Sequence, residues 1–379
     1  MKNDFDRYFR FLQFSLGLSD GKNFLSGEAL ADFDWNSFYR FAKKQSLIGV
    51  LFDGIQKLPQ GVRLGEDLTM TWVGMNQKIK RRNVLLDQAS AYIYNKVKAI
   101  GYRCCILKGQ GNALMYPNPS SRTPGDVDVW VNASREEILL LAELLAKDKG
   151  SVGKVSLNHV ELSVNGIAVE LHSTPAIMNH PIYNYRLQKW LRRNVDLQCS
   201  NIVSLPSGVG EMAIPTNAFN VVYQLFHLFH HYFYEGVGLR QVIDYYFVVM
   251  GVHTDLTNLT DLTDFDSKDL AALQRDLKGL GLYGFAGAMM YVLHEVLGLE
   301  EDKMIVPMDV RRGRMLLDEI LASGNFGKYD ERYGFGHGAI GHNMQRLFRD
   351  LRLVRYYPAE ALSEPVFRTW HFLWRMWNR

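Results

Sequence analysis

Apolar positions recur at helical spacing through the first hundred residues. Trp35, Phe38, Phe41 and Ala42 fall on one face, as do Val84, Leu85, Ala89, Tyr92 and Val97 later. The stretch from Asp67 to Ile100 holds no proline and is expected to form one long helix. The periodicity then changes. Arg103 to Leu107 is a short apolar run ending at Lys108-Gly109, followed by a weakly helical segment to Tyr116 and the turn-rich loop PNPSSRTPG. Asp126 to Val131 alternates polar and apolar residues, a strand signal. Ser134 precedes Glu137 by three residues, a capping box that opens a helix reaching about Lys147.

The clearest local signal is a hairpin. His159 to Val164 and Ile167 to His172 flank Asn165-Gly166, the preferred pair for a two-residue type I′ turn. Beyond Pro206 the pattern is helical again, with segments near 211–234, 238–251, 267–297 and 309–323, and a last pair near 341–356 and 362–377. The expected class is α+β: a small mixed sheet with flanking helices between two helical regions. The boundaries fall at 1–100 for the N-terminal helical region, 101–205 for the core and 206–379 for the C-terminal helical region.

Composition narrows the partners. A net charge of +3 is too small to imply nucleic-acid binding by itself. Cys104, Cys105 and Cys199 cannot build a disulfide framework, and with no CxxC pair a ribbon-type zinc site is not expected. The opening MKNDFDRYFRFLQF is charged throughout, unlike a signal peptide. Ala213 to Tyr234 lacks Asp, Glu, Lys and Arg but contains Pro215, Asn217, Asn220, Gln224 and three histidines, which suits a buried helix rather than a membrane span. These features predict a cytoplasmic protein.

Alternate side chains of a strand share a face, so Asp126 and Asp128 are expected to point one way while Val127, Val129 and Val131 enter a core. Two carboxylates on one face repel unless a cation lies between them, and hard divalent ions such as Mg²⁺ take oxygen ligands of this kind. The turn at Asn165-Gly166 sets Glu161 opposite Glu170 and His159 opposite His172. Facing glutamates also ask for a cation or a basic side chain above them.

The segments ILKGQGNALMYPNPSSRTPGDVDVWV and NHVELSVNGIAVELHS resemble the polymerase-β-type nucleotidyltransferase superfamily. They are most similar to a branch of largely uncharacterised bacterial nucleotidyltransferases carrying an LKG…R…DxDxxV signature. The likeness covers about residues 75 to 175 and extends more loosely through GVGLRQVIDYYFVV. It implies Asp126, Asp128 and Glu170 as catalytic carboxylates holding two Mg²⁺ or Mn²⁺ ions. It places Lys108-Gly109 at the phosphate-holding turn, where the superfamily usually has Gly-Ser or Gly-Gly, and Arg122 before the acidic strand. The implied reaction moves a nucleoside monophosphate from a nucleoside triphosphate to an unidentified acceptor hydroxyl, with release of pyrophosphate.

Other residues carry paired readings. Lys108 is a triphosphate ligand or an exposed turn lysine; Arg122 clamps phosphate or pairs with Asp126 or Asp128. His159 and His172 contact substrate or pair with each other. His227, His231 and Glu235 share a helix face at i, i+4, i+8 and read as cleft or core histidines rather than a metal site. Arg240 and Asp244 form an i, i+4 pair or the wall of a nucleotide cleft. The C-terminal forty residues interleave Trp370, Phe372, Trp374 and Trp377 with seven arginines. They are expected to give a helix with aromatic core contacts and a basic solvated face, with nucleic acid or an anionic membrane as the less favoured reading. Two other functions fit an Asp-x-Asp strand: a metal-dependent glycosyltransferase, and a catalytically silent nucleotide-binding or interaction protein.

Overall fold

The structure is a computed structural model that describes residues 2–21, 30, 32–59, 62, 64–253, 267–329 and 351–377. Helices α1 (Lys2–Ser15), α2 (Trp35–Lys44) and α3 (Ile48–Ile55) precede the long α4 (Glu66–Ile100). The expected long helix is present and ends on Gly101 at φ +104°, a left-handed cap that suits glycine. Strand β1 (Cys104–Leu107) leads into the short α5 (Gly109–Ala113), and β2 (Val127–Val131) into α6 (Arg135–Lys149), which opens with the Ser134–Glu137 capping box.

Strands β3 (Gly150–Val155), β4 (His159–Val164) and β5 (Ile167–His172) complete a mixed five-stranded sheet in the order β1-β2-β5-β4-β3. Only β2 and β5 are parallel, with Asp128 beside Glu170 and Trp130 beside His172. The hairpin pairs His159 with His172 and Glu161 with Glu170, as the turn requires. Asn165 and Gly166 both take positive φ there, the type I′ conformation.

Helix α7 (Pro181–Ser200) and the two-stranded sheet of β6 (Ile202–Ser204) and β7 (Glu211–Ala213) follow. Then come α8 (Asn217–Tyr234), α9 (Leu239–Met250), α10 (Ser267–Gly279), α11 (Tyr283–Leu297), α12 (Val310–Ser323) and α13 (Pro358–Trp377). The architecture is α+β, as the pattern predicts.

Three local expectations change, and a fourth lies mostly outside the described residues. The segment near 211–234 begins as a strand, and the helix starts at Asn217 behind Pro215. Helix near 267–297 breaks into two at Gly281, which takes φ +73°. Most of the helix expected near 341–356 lies outside the described residues. The aromatic residues of α13 do not enter the core: Trp370, Phe372 and Trp377 are exposed and Trp374 is half-buried, while Glu360 and Glu364 are buried. Among the described residues, no single helix is long and apolar enough to cross a membrane.

One hydrophobic core runs from α1 through the sheet to α13. The N-terminal helices do more than pack. Asn83 of α4 donates to the carbonyls of Ser120 and Arg122, both at 2.9 Å. Asn118 donates to Asp53 at 3.0 Å, and Thr123 to the Ser46 carbonyl at 2.7 Å. A Cβ on Gly49 would meet the Ser121 carbonyl oxygen at 2.2 Å, so only glycine permits that approach. The turn-rich loop before β2 is therefore fixed by residues far back in the chain.

Candidate active site

Asp126 sits one residue ahead of β2, exposed at the cavity rim, and Asp128 is buried within the strand. Alternation along the strand puts both carboxylates on the same side, and the parallel register brings Glu170 of β5 level with Asp128. Asp128 is already partnered. The Lys108 ammonium lies 3.0 Å from its Oδ2, and His172 Nε2 lies 3.1 Å from its Oδ1. The same His172 nitrogen is 3.3 Å from Glu170 Oε2, and His159 Nε2 is 4.0 Å from that oxygen.

Charge balance follows from this packing. Asp128's negative charge pushes the Asp126 carboxyl up. Burial also favours a neutral Asp128, but the Lys108 and His172 cations outweigh it and hold that carboxyl low. Burial opposes a protonated His172, yet its hydrogen bonds to Asp128 and Glu170 raise it above the ordinary histidine value. Glu170 is held low against its own burial by His172. His159, half-buried and farther from the carboxylates, is lowered by its burial. Lys108 and His172 are thus the side chains set against the carboxylate row from within.

Lys108 reaches Asp128 from an unusual backbone conformation, φ +52° and ψ −135°, at the end of β1. Gly109 follows at φ +41°, in the left-handed region that favours glycine, where a Cβ would meet the Asp126 carbonyl oxygen at 3.5 Å. Helix α5 behind this turn has only five residues, so its dipole contributes little and charge at the turn comes chiefly from Lys108.

Arg122 does not pair with Asp126 or Asp128. Its Nε and Nη2 bind both oxygens of Asp244 at 2.7 Å each, and Tyr116 donates to Asp244 Oδ1 at 2.7 Å. The expected Arg240–Asp244 helical pair is displaced accordingly: Arg240 Nη1 donates to the Thr123 carbonyl at 3.1 Å, and its guanidinium stacks over Phe326. The two-bond fork of Arg122 takes the Asp244 carboxylate instead.

Two cavities flank the carboxylates. One, about 540 Å³, is lined by Lys108, Arg122, Arg240, Gln241, Phe326 and Lys328 among others. Arg122 Nη1, Arg240 Nε and Gln241 Nε2 are buried donors with no hydrogen-bond partner. The other, about 460 Å³, lies over the hairpin and α8 and is lined by residues including Lys154, Asn158, Asn179, Tyr234, Phe367 and His371. His227, His231 and Glu235 line both, in the cleft rather than the core. Asn112 and Gln224 exchange two hydrogen bonds, at 2.9 and 2.6 Å, that tie α5 to α8.

A family described as uncharacterised nucleotidyltransferase matches residues 31–298. The chain belongs to that family. Membership supports nucleotidyl transfer in general, with a nucleotide as substrate. Among solved structures, an antigenic nucleotidyltransferase-like protein from Paracoccidioides brasiliensis is similar at 17% identity and a TM-score of 0.32. The match covers 52% of this chain and 91% of that one. No curated protein matches.

The uncharacterised nucleotidyltransferase match spans every residue singled out in the sequence except those of the C-terminal aromatic segment. The structure gathers Lys108, Gly109, Arg122, Asp126, Asp128, Glu170, Arg240 and Asp244 around the first cavity, and His159 and His172 around the second. Sequence reasoning missed Gln241, Phe326 and Lys328, which lie on the helical side of the first cavity. It also missed Asn179 and Lys154 of the second; no local pattern marks these residues.

Proposed function

We propose that this protein is a metal-dependent nucleotidyltransferase whose donor triphosphate occupies the first cavity and whose acceptor occupies the second. The observation that carries the reading is the convergence of Asp126, Asp128 and Glu170 at the first cavity, with Asp128 and Glu170 on the wall it shares with the second. One of those cavities is lined by buried arginine donors left without partners. Unpaired buried donors cost free energy, and phosphate oxygens satisfy them with charge-assisted bonds.

The donor set fits hard divalent cations. Three carboxylates meet, and the charge of one raises the next, as expected of a site built around positive charge. Asp126 and Asp128 would hold one ion with the triphosphate, and Glu170 with Asp128 the other. Bound there, such ions neutralise the reacting phosphate and acidify the acceptor hydroxyl. Lys108, Arg122 and Arg240 bind and orient the phosphates, with Gly109 giving backbone access at the turn. The acceptor oxygen forms a bond to the α-phosphorus as the bond to the bridging oxygen breaks, and pyrophosphate leaves. His159 and His172 face the acceptor. Residues 101–205 supply the chemistry, 206–379 the cleft wall and 1–100 the clamp on the Arg122 loop.

A thermal-shift screen tests this. Each of the four nucleoside triphosphates and several nucleotide-sugars is added with Mg²⁺ or Mn²⁺. Stabilisation by at least one triphosphate that vanishes with chelator is expected, about 2.7 kcal/mol at a hundredfold excess over Kd. It should be lost in Asp126→Asn/Asp128→Asn. Stabilisation by a nucleotide-sugar alone would move the assignment to glycosyl transfer.

A further inference from the structure

Helix α13 has two unlike faces. Glu360, Glu364, Phe367, His371 and Trp374 recur at steps of four, three, four and three and turn inward. The two glutamates are buried, and Phe367 and His371 line the second cavity. The opposite face is apolar and exposed. Leu362, Val366, Trp370, Leu373 and Trp377 follow at steps of four, four, three and four, with Phe372 and Met376 beside them, and all stand exposed. At about 100° per residue these positions cover an arc of about 160°. Taking about 200 Å² for each large side chain, their exposures amount to about 800 Å², more than the largest apolar patch of an ordinary monomer.

The charges on this segment have one outward sign. Between Leu351 and Trp377 the acids are Glu360 and Glu364, both buried. Glu360 accepts from two backbone N–H groups, and Glu364 lies 3.4 Å from Arg368. Arg355 stands exposed just before the helix. Arg311 of α12, also exposed, holds its guanidinium over the Tyr356 ring at 5.5 Å. Among the described side chains of 351–377, every charged group that reaches solvent is an arginine: Arg352, Arg355 and Arg368.

We propose that the outer face of α13 docks on an anionic lipid bilayer, the helix lying in the plane of the headgroups. Leu362, Val366 and Leu373 enter the acyl boundary, Trp370, Phe372 and Trp377 lie at headgroup level, and the arginines meet lipid phosphate. The aliphatic half of the stripe decides against nucleic acid, which stacks bases on aromatic rings and makes no use of branched alkyl groups. The single sign of charge decides against a second copy, since face-to-face pairing would set arginine against arginine.

Docking has a consequence for the cleft, whichever reaction the cleft performs. The helix that meets lipid on one face lines the second cavity with the other, through Phe367 and His371. The bilayer surface then lies one helix diameter, about 10 Å, from that cavity. Glu360 sets the rotation that makes this possible, because its two hydrogen bonds turn the acidic side of α13 toward the chain before α7.

The experiment floats full-length protein with vesicles of phosphatidylcholine alone and of phosphatidylcholine with phosphatidylglycerol. Light scattering reads the oligomeric state in solution, and a gel shift with single-stranded RNA runs in parallel. Anionic vesicles should bind about tenfold more tightly than neutral ones, and added salt should narrow the gap. Trp370→Ser/Trp377→Ser should bind anionic vesicles about tenfold more weakly with an unchanged melting temperature, since both rings stand on the surface. Arg311→Gln/Arg355→Gln should lose most of the preference for anionic over neutral lipid. Brominated acyl chains in the anionic vesicles should quench tryptophan fluorescence in the wild type and much less in the tryptophan variant. Absence of flotation, equal binding to neutral vesicles, or flotation and quenching untouched by the tryptophan variant overturns the proposal. A dimer that the tryptophan variant dissociates, without flotation, gives the face to a second copy. An RNA shift that the variant abolishes, without flotation, gives it to nucleic acid; either result also overturns docking on a bilayer.

Discussion

A lysine at φ +52° costs about 1–3 kcal/mol in backbone strain, and surrounding structure must hold it there. At Lys108 the return is an ammonium set between Asp128 and His227, at the seam of both cavities. If it is exchanged from Asp128 to phosphate on binding, Lys108→Ala should weaken triphosphate binding more than monophosphate binding. Loss of one charge-assisted contact suggests about 1.5–3 kcal/mol, measurable by titration calorimetry. Equal small losses for both nucleotides would return it to a structural ion pair. Glu170 has a different expected job, since it comes from β5 and not from the aspartate strand. Glu170→Gln should bind nucleotide with one Mn²⁺ where the wild type takes two, counted by electron paramagnetic resonance of free Mn²⁺. The positions of these carboxylates were legible because strand alternation and an Asn-Gly turn fix side-chain direction from local sequence alone. The partner of Lys108 was not, because it depends on how β1 and β2 pair across a loop clamped by Asn83 and Gly49.

Among the elements, the bond between the Arg122 loop and α9 is the one whose removal should be most costly. Arg122 and Asp244 are both buried, and Tyr116 completes the carboxylate's shell. Asp244→Asn keeps the volume but strands a buried guanidinium, so about 3–5 kcal/mol should be lost in denaturant unfolding. Arg122→Met/Asp244→Leu should recover much of that loss. Burial would raise the Asp244 carboxyl, but Arg122 outweighs it and holds it below the ordinary value. The pair's contribution is therefore present above the unfolded carboxyl's pKa of about 4 and fades as pH falls through the lower folded value. In Asp244→Asn the acid slope should be shallower. The sequence suggested an ion pair within α9 because i, i+4 spacing is visible in one dimension; the competing loop 122 residues away is not. Helix α13 fails for a related reason. Its period was plain, but its rotation is set by Glu360, which accepts from the backbone N–H groups of Asn179 at 2.8 Å and His180 at 3.2 Å. That anchor turns Glu360 and Glu364 inward and leaves Trp377 89% exposed.

At the scale of the whole molecule, stability and the candidate chemistry are held by different contacts, and this can be measured. The first cavity is closed by the sheet, α8 and α9, whereas α13 touches only the second, through Phe367 and His371. Glu360 fastens α13 to the chain before α7, through hydrogen bonds that involve none of Lys108, Arg122 or the carboxylates. Glu360→Ala leaves two backbone donors without their acceptor, a loss of about 1–3 kcal/mol for each that stays buried. The melting temperature should fall accordingly. Magnesium-dependent stabilisation by the triphosphate should survive with nearly unchanged Kd, because no phosphate-facing residue has moved. A variant that melts lower but binds as before assigns α13 to the acceptor side of the cleft. A variant that loses nucleotide binding along with stability would mean that the helical wall moves as one piece, and that donor and acceptor cavities are coupled through α8.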